Sequence, residues 1–212
     1  MCSHCKKNNG CGCSSKKNEC LNLGPFVAVD AACIAKPAPT KPYGPSGSII
    51  PFSSGITPIV LATITGGLVS TASVIGMGSA VPGVSIAGNT IDLTGIVTES
   101  FSIPRAGNIT GISASFTVAA GITLLGTTTV NAKVYKAPAG SSVFTATNAT
   151  VNLAPSFTGL LEIGDTTFAS ETLVPIPVEQ GERLIMVISI ETSGVAIAQV
   201  LTGTVSAGIT IA

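Results

Sequence analysis

Residues 112–118 read ISASFTV and residues 129–136 read TVNAKVYK. In the first stretch Ile112, Ala114, Phe116 and Val118 fall on one side of an extended chain, and Ser113, Ser115 and Thr117 on the other. In the second, Val130, Ala132 and Val134 oppose Asn131, Lys133 and Tyr135. Successive side chains of a strand point to opposite faces, so this period of two marks half-buried antiparallel strands. APAG (137–140) and VEQG (178–181) are turn signals. After the second of them, RLIMVISIE (183–191) is the near-continuous apolar run of a strand covered on both sides. Similar runs near 58–65, 84–92, 97–103, 150–154, 172–176, 195–201 and 203–211 bring the expected number of short strands to about ten. Gly, Thr or Pro interrupts every apolar window, which leaves no room for an ordinary helix. The expected fold is all-β, an antiparallel β-sandwich of jelly-roll type.

The composition agrees with this reading. Only 9% of the 212 residues are charged and 4% aromatic, so small and β-branched side chains supply most of the sheet. The zero net charge hides a split. Lys6, Lys7, Lys16, Lys17, Lys36 and Lys41 face only Glu19 and Asp30 in the first 43 residues, a net +4, and the remainder carries −4. The scattered charges form neither a basic stripe nor an aromatic platform, so no nucleic-acid partner is expected. Ile59–Val81 is uncharged and long enough to cross a bilayer. Its many Gly, Ser and Thr residues, and the absence of Trp, Tyr, Lys or Arg at its ends, argue instead for no membrane span. The first residues lack the apolar core of a signal peptide after their lysines, so Sec-type secretion is not expected.

Three zones follow. Residues 1–20, MCSHCKKNNGCGCSSKKNEC, are a Cys-rich head with no periodicity. Residues 21–42 are an extended connector ending in IAKPAPTKP, whose prolines favour polyproline II geometry. Residues 43–212 are the strand-rich body.

Chemistry concentrates in the head, which holds Cys2, Cys5, Cys11, Cys13 and Cys20 with His4, while Cys33 follows in the connector. These six cysteines are candidates for inter-subunit disulfide crosslinking. Four thiolates can also close a zinc tetrahedron, although Cys11-x-Cys13 has one intervening residue where a metal-binding pair usually has two. The connector stretch Phe26, Val27, Ala28 and Val29 can add as a docking strand to a neighbouring subunit's sheet edge, or fold against its own body.

Catalysis finds no foothold. The only histidine lies in the head, so the body can assemble no Ser/His or Cys/His pair. Glu179, Glu182 and Asp165 read as solvated carboxylates at turns. GMGSAVPG (76–83) has the glycines of a phosphate loop without its Lys or its helix, and reads as a bend between strands. Asn108-Ile-Thr and Asn148-Ala-Thr match a glycosylation sequon at chance level. The expectation is a protein with no enzymatic activity and no cofactor.

From GPSGSIIPFSSGITPIVLATITGGLVSTASVIGMGSA through ESFSIPRAGNITGISASFTV, VNAKVYKAPAGSSVFT, VNLAPSFTGLL and VPIPVEQGERLIMVIS to TGTVSAGITI, residues 45–212 resemble the C-terminal domain of the exosporium glycoprotein BclB and its relatives. The resemblance implies a TNF-like jelly roll that forms a homotrimer. Such proteins carry a long collagen-like region before this domain; here only Gly44-Pro45-Ser46-Gly47 looks like the end of one. With a Cys-rich head in its place, the whole chain is similar to subunits of F-type endospore appendages. That implies a structural, self-assembling subunit of a spore-surface fibre, with the arm joining trimers head to tail. The alternative is a trimeric exosporium knob or anchor that binds other coat proteins or external ligands. Localisation on the spore surface implies synthesis in a reducing cell and later exposure to an oxidising exterior, so disulfides that form late would lock an assembled structure.

Overall fold

Alternation of apolar and small polar residues becomes strand pairing throughout the chain described by the computed structural model, namely residues 47–64, 69–96, 100–194 and 197–212. Earlier in the chain it describes two short strands, β1 (Asn22–Leu23) and β2 (Phe26–Val27), paired antiparallel with Leu23 opposite Phe26. The chain divides into two units, Met1–Ser46 and Gly47–Ala212.

The second unit holds β3 (Ser48–Ser53), β4 (Ile59–Thr63), β5 (Val69–Ile75), β6 (Ala80–Val84), β7 (Thr90–Asp92), β8 (Phe101–Ser102) and β9 (Gly107–Val118). It continues with β10 (Ile122–Ala137), β11 (Val143–Asn152), β12 (Phe157–Leu161), β13 (Thr166–Val178), β14 (Arg183–Ser193) and β15 (Val200–Ile211). The described residues contain no helix. One sheet runs β13-β9-β15, with β3 and β4 side by side along the other edge of β15. The other runs β5-β14-β10-β11-β7, with β6, β8 and β12 at its margins. The β4–β5 hairpin carries the chain between them, and β9, β10, β13, β14 and β15 then alternate sheets. All strand pairs are antiparallel, which makes this a jelly-roll sandwich.

The two inner faces meet in one core. Ile112, Ala114, Phe116 and Val118 are buried as the alternation requires, against Val130, Ala132 and Val134 of β10 and Leu184, Met186, Ile188 and Ile190 of β14. Phe116 and Phe157 meet edge to face with ring centroids 6.2 Å apart. A second core lies on the outside of the β14 sheet, where the excursion through β6 and β7 brings Val84, Ile91 and Leu93 over Ile185, Val187, Tyr135 and Phe144. The continuous apolar run of β14 is thereby explained, since its odd and even residues enter different cores.

Several sequence expectations need correction. Residues 203–211 and the end of the 195–201 run form a single strand, β15, because Gly203 keeps an extended backbone and pairs with both Val118 and Ile59. Tyr135 points to the expected outer side yet is only 4% exposed, because the excursion covers it. Burial raises the Tyr135 pKa above its ordinary value. The neutral phenol is therefore favoured in the folded chain. Its contribution to stability is complete below about pH 10, where the unfolded tyrosine titrates, and is lost as pH rises through the folded value. The melting temperature of the parent should fall more steeply above pH 10 than that of Tyr135→Phe; parallel curves would contradict this.

Charged residues of the body cluster mainly where β10 ends and β14 begins. Arg183 donates from Nε to Ser100 Oγ (2.9 Å) and from Nη1 to the Ser141 carbonyl (2.8 Å), and its guanidinium lies 5.5 Å from the Phe144 ring centroid. Glu182 pairs with Lys136 at 3.1 Å and accepts from the Glu179 backbone N–H at 2.8 Å, so it braces its turn rather than standing free in solvent.

Candidate assembly surfaces

The sequence places its candidate residues in the arm. Cys2, Cys5, Cys11, Cys13, Cys20 and Cys33 lie outside the described residues, as do Ala28 and Val29. Phe26 and Val27 form β2 and pair with Asn22 and Leu23 of the same arm. Among the described residues, no group of three or more His, Cys, Asp or Glu could hold a metal ion. Of the stretch 76–83, residues 76–79 form the expected bend, with the Gly76 N–H donating to the Ser79 carbonyl (2.9 Å), and 80–83 belong to β6. The described residues include no helix long and apolar enough to cross a membrane, and Ile59–Val81 supplies β4, β5 and the start of β6.

The body presents a surface that no motif announces. On the outer face of the β13-β9-β15-β3 sheet, cross-strand rows read Thr166–Thr117–Thr204, then Phe168–Ser115–Ser206–Ser53, then Ser170–Ser113–Gly208–Pro51, then Thr172–Gly111–Thr210–Ile49. No Lys, Arg, Asp or Glu belongs to these rows. Several of their hydroxyls bond within the sheet. Ser115 Oγ donates to the Ser206 carbonyl (3.3 Å), Ser113 Oγ to the Ala169 carbonyl (3.4 Å), and the Thr117 and Thr166 hydroxyls bond each other (3.1 Å). Covering such a face buries no charge, so its burial avoids the largest desolvation cost. Large apolar side chains stand at its two edges, Phe168 at 66% exposure on β13 and Ile49 at 77% on β3. Edges that differ from each other suit a heterologous contact, in which one edge of a copy meets the other edge of the next.

The signal for this face was legible in part. ISASFTV displays its Ser and Thr residues, but only strand register shows that three further strands set small uncharged residues beside them.

No family model matches the chain. It is similar to Collagen-like protein 1 of Acanthamoeba polyphaga mimivirus, with 31% identity over 178 residues. The match covers 79% of this chain and spans only 19% of that protein's length. Among solved structures, the Eiger TNF of S. frugiperda aligns at a TM-score of 0.34 and 8% identity, covering 78% of this chain and 93% of that one. The infectious bursal disease virus VP2 subviral particle aligns at 0.33 and 16% identity, covering 92% of this chain and 37% of that one.

Proposed function

We propose that this chain is a structural, non-enzymatic subunit that assembles into a homotrimer, with successive trimers stacked head to tail through the N-terminal arm into a fibre on the spore surface. The observation that carries the self-association is the uncharged Ser/Thr/Gly sheet face with Phe168 and Ile49 on its opposite edges. Burying a face with no charge and with Phe168 and Ile49 exposed at its edges costs little, and copies of the chain can cover it. The number three, the fibre and the exosporium location rest on the resemblance of residues 45–212 to BclB-like domains. Similarity to a collagen-like protein supports a structural role over a catalytic one. In this reading the arm cysteines crosslink neighbouring subunits once the surroundings become oxidising, the first fibre units attach to exosporium or coat proteins, and no cofactor is required.

Light scattering of the full-length protein in reductant at low concentration should return a unit mass of three times the 21.0 kDa chain. Electron microscopy at higher concentration should show fibres of stacked units. Phe168→Asp, at an exposed position, should yield folded monomers. A monomeric parent at micromolar concentration would overturn the reading.

A further inference from the structure

β13 is an edge strand of the first sheet. Its Thr167, Ala169 and Glu171 stand opposite Phe116, Ala114 and Ile112 of β9. Further along β9 the Val118 N–H donates to the Asp165 carbonyl (2.8 Å) and the Val118 carbonyl accepts from the Gly164 N–H (2.9 Å), so Val118 bonds toward the β13 side. Bonding alternates along an antiparallel strand, so Phe116, Ala114 and Ile112 do the same, and Phe168, Ser170 and Thr172 turn their N–H and C=O groups away from β9. Phe168 gives both groups to Ala154, at 3.0 and 3.1 Å. Among the described residues nothing pairs with Ser170 or Thr172 on that outer side. Pro175, which has no N–H, limits the open run.

On the far side of β15, β3 is turned the same way. Ile50 and Phe52 stand opposite Ile209 and Ala207, and the neighbouring Ser54 N–H donates to the Val205 carbonyl (3.0 Å). By the same alternation Ile49, Pro51 and Ser53 present their backbone groups outward. Ser53 is already engaged, its N–H donating to the Gly76 carbonyl (2.7 Å) and its carbonyl accepting from the Gly78 N–H (2.9 Å). Of the two residues left, Pro51 has no N–H to offer a further strand.

Glu171 is the one charged residue of β13. Alternation puts its side chain on the inward side of the sheet with Thr167, which is 1% exposed, yet Glu171 itself is exposed at the rim of the sandwich. A strand added at this edge would cover the carboxylate, and no cation among the described residues pairs with it. Two copies pairing β13 to β13 meet a sharper obstacle. The antiparallel register that uses every open group of Ser170 and Thr172 sets Ser170 opposite Thr172 of the second copy. Glu171 then falls directly opposite Glu171 in a non-hydrogen-bonded pair, with Cα atoms about 4.5 Å apart, where like charges repel. We infer that Glu171, with Pro51 on the other edge, bars strand addition to this sheet and so confines contact between copies to side chains. This rests on the self-association reading above and states which contact that association excludes, namely one sheet continued from copy to copy through β13 and β3.

The test is residue-resolved amide hydrogen exchange with sedimentation velocity, in reductant, on the full-length parent, Glu171→Thr, Glu171→Lys and Glu171→Thr with Pro51→Thr. In the parent, Ser170 and Thr172 should exchange at least about a hundredfold faster than Ala169 and Glu171, whether or not copies have joined. Glu171→Thr, at an exposed position, should keep the parent's melting temperature. It should also form species larger than the parent's at equal concentration, with exchange at Ser170 and Thr172 slowed at least about tenfold. Glu171→Lys keeps a charge at the rim and should behave as the parent does. Adding Pro51→Thr to Glu171→Thr should carry association further, and no added effect would strike Pro51 from the account. Slow exchange at Ser170 and Thr172 in the parent would show the edge already paired and overturn the inference, leaving self-assembly intact. A Glu171→Thr variant that matches the parent in mass and exchange would overturn it too. So would one of smaller mass, because Glu171 would then belong to the contact itself. The exchange rates judge β13 whatever the parent's mass, so a monomeric parent overturns the self-association reading alone.

Discussion

Replacing Gly203 with alanine should destabilise the body by about 3 kcal/mol or more, a fall of roughly 6–12 °C in melting temperature. Gly203 sits within β15, and a Cβ there would fall against the Phe116 ring, with Cε1 at 2.6 Å, and against the Thr117 carbonyl. Phe116 is fully buried and packed on Phe157, so neither the ring nor the backbone carbonyl of β9 can move aside without opening the core. Gly208 in the same strand is the control. Its Cβ would meet nothing nearer than the Ile50 carbonyl at 3.6 Å, and alanine there should be neutral or slightly stabilising. Adding Phe116→Leu to Gly203→Ala should recover part of the loss by shortening the ring, but not the part due to the Thr117 carbonyl. Thermal unfolding followed by circular dichroism decides this; equal effects at Gly203 and Gly208 would show that the close approach at Gly203 is not what requires glycine there.

Phe144→Ala should cost about 3–5 kcal/mol, with its effect concentrated in one part of the molecule. Phe144 is fully buried in the second core with Ile185, Val187, Ile91 and Leu93, and its ring lies under the Arg183 guanidinium. Truncation leaves a cavity between the β14 sheet and the excursion through β6 and β7, and removes the surface on which Arg183 rests. Amide hydrogen exchange should accelerate first at Ile91 and Leu93, whose N–H groups bond only within and beside that excursion, and least in β9 at the centre of the first sheet. Uniform acceleration across both regions would mean that the two cores melt as one unit, and the local account would fail.

The strands and their inner faces were legible because side-chain alternation is a local property. ISASFTV and TVNAKVYK state which atoms need burial, and RLIMVISIE states that both of its sides do. What covered the second side of β14 was not legible, since the residues concerned, Val84, Ile91 and Leu93, come from a short-stranded segment roughly a hundred residues earlier. The same holds for Tyr135, whose outer position reads as solvent exposure until the excursion is laid over it. The arm's reactive character, by contrast, is plain in composition alone, with all six cysteines before residue 34.

By itself, then, the amino-acid order determined the strand character, the side of each strand that is buried, and the division into a basic, thiol-bearing arm and an acidic, cysteine-free body. Tertiary structure decided which residues share a surface. Ser115, Ser206, Phe168 and Ser53 form one row, and Ile64, Leu125, Ile163 and Val200 one end. The physical reason is that burial along a strand depends on neighbours two residues apart, whereas a surface is assembled by register between strands far apart in the chain, as with Ser53 and Ser206. That register is set by the packing of the whole core, with single close approaches such as Gly203 on Phe116 holding it in place.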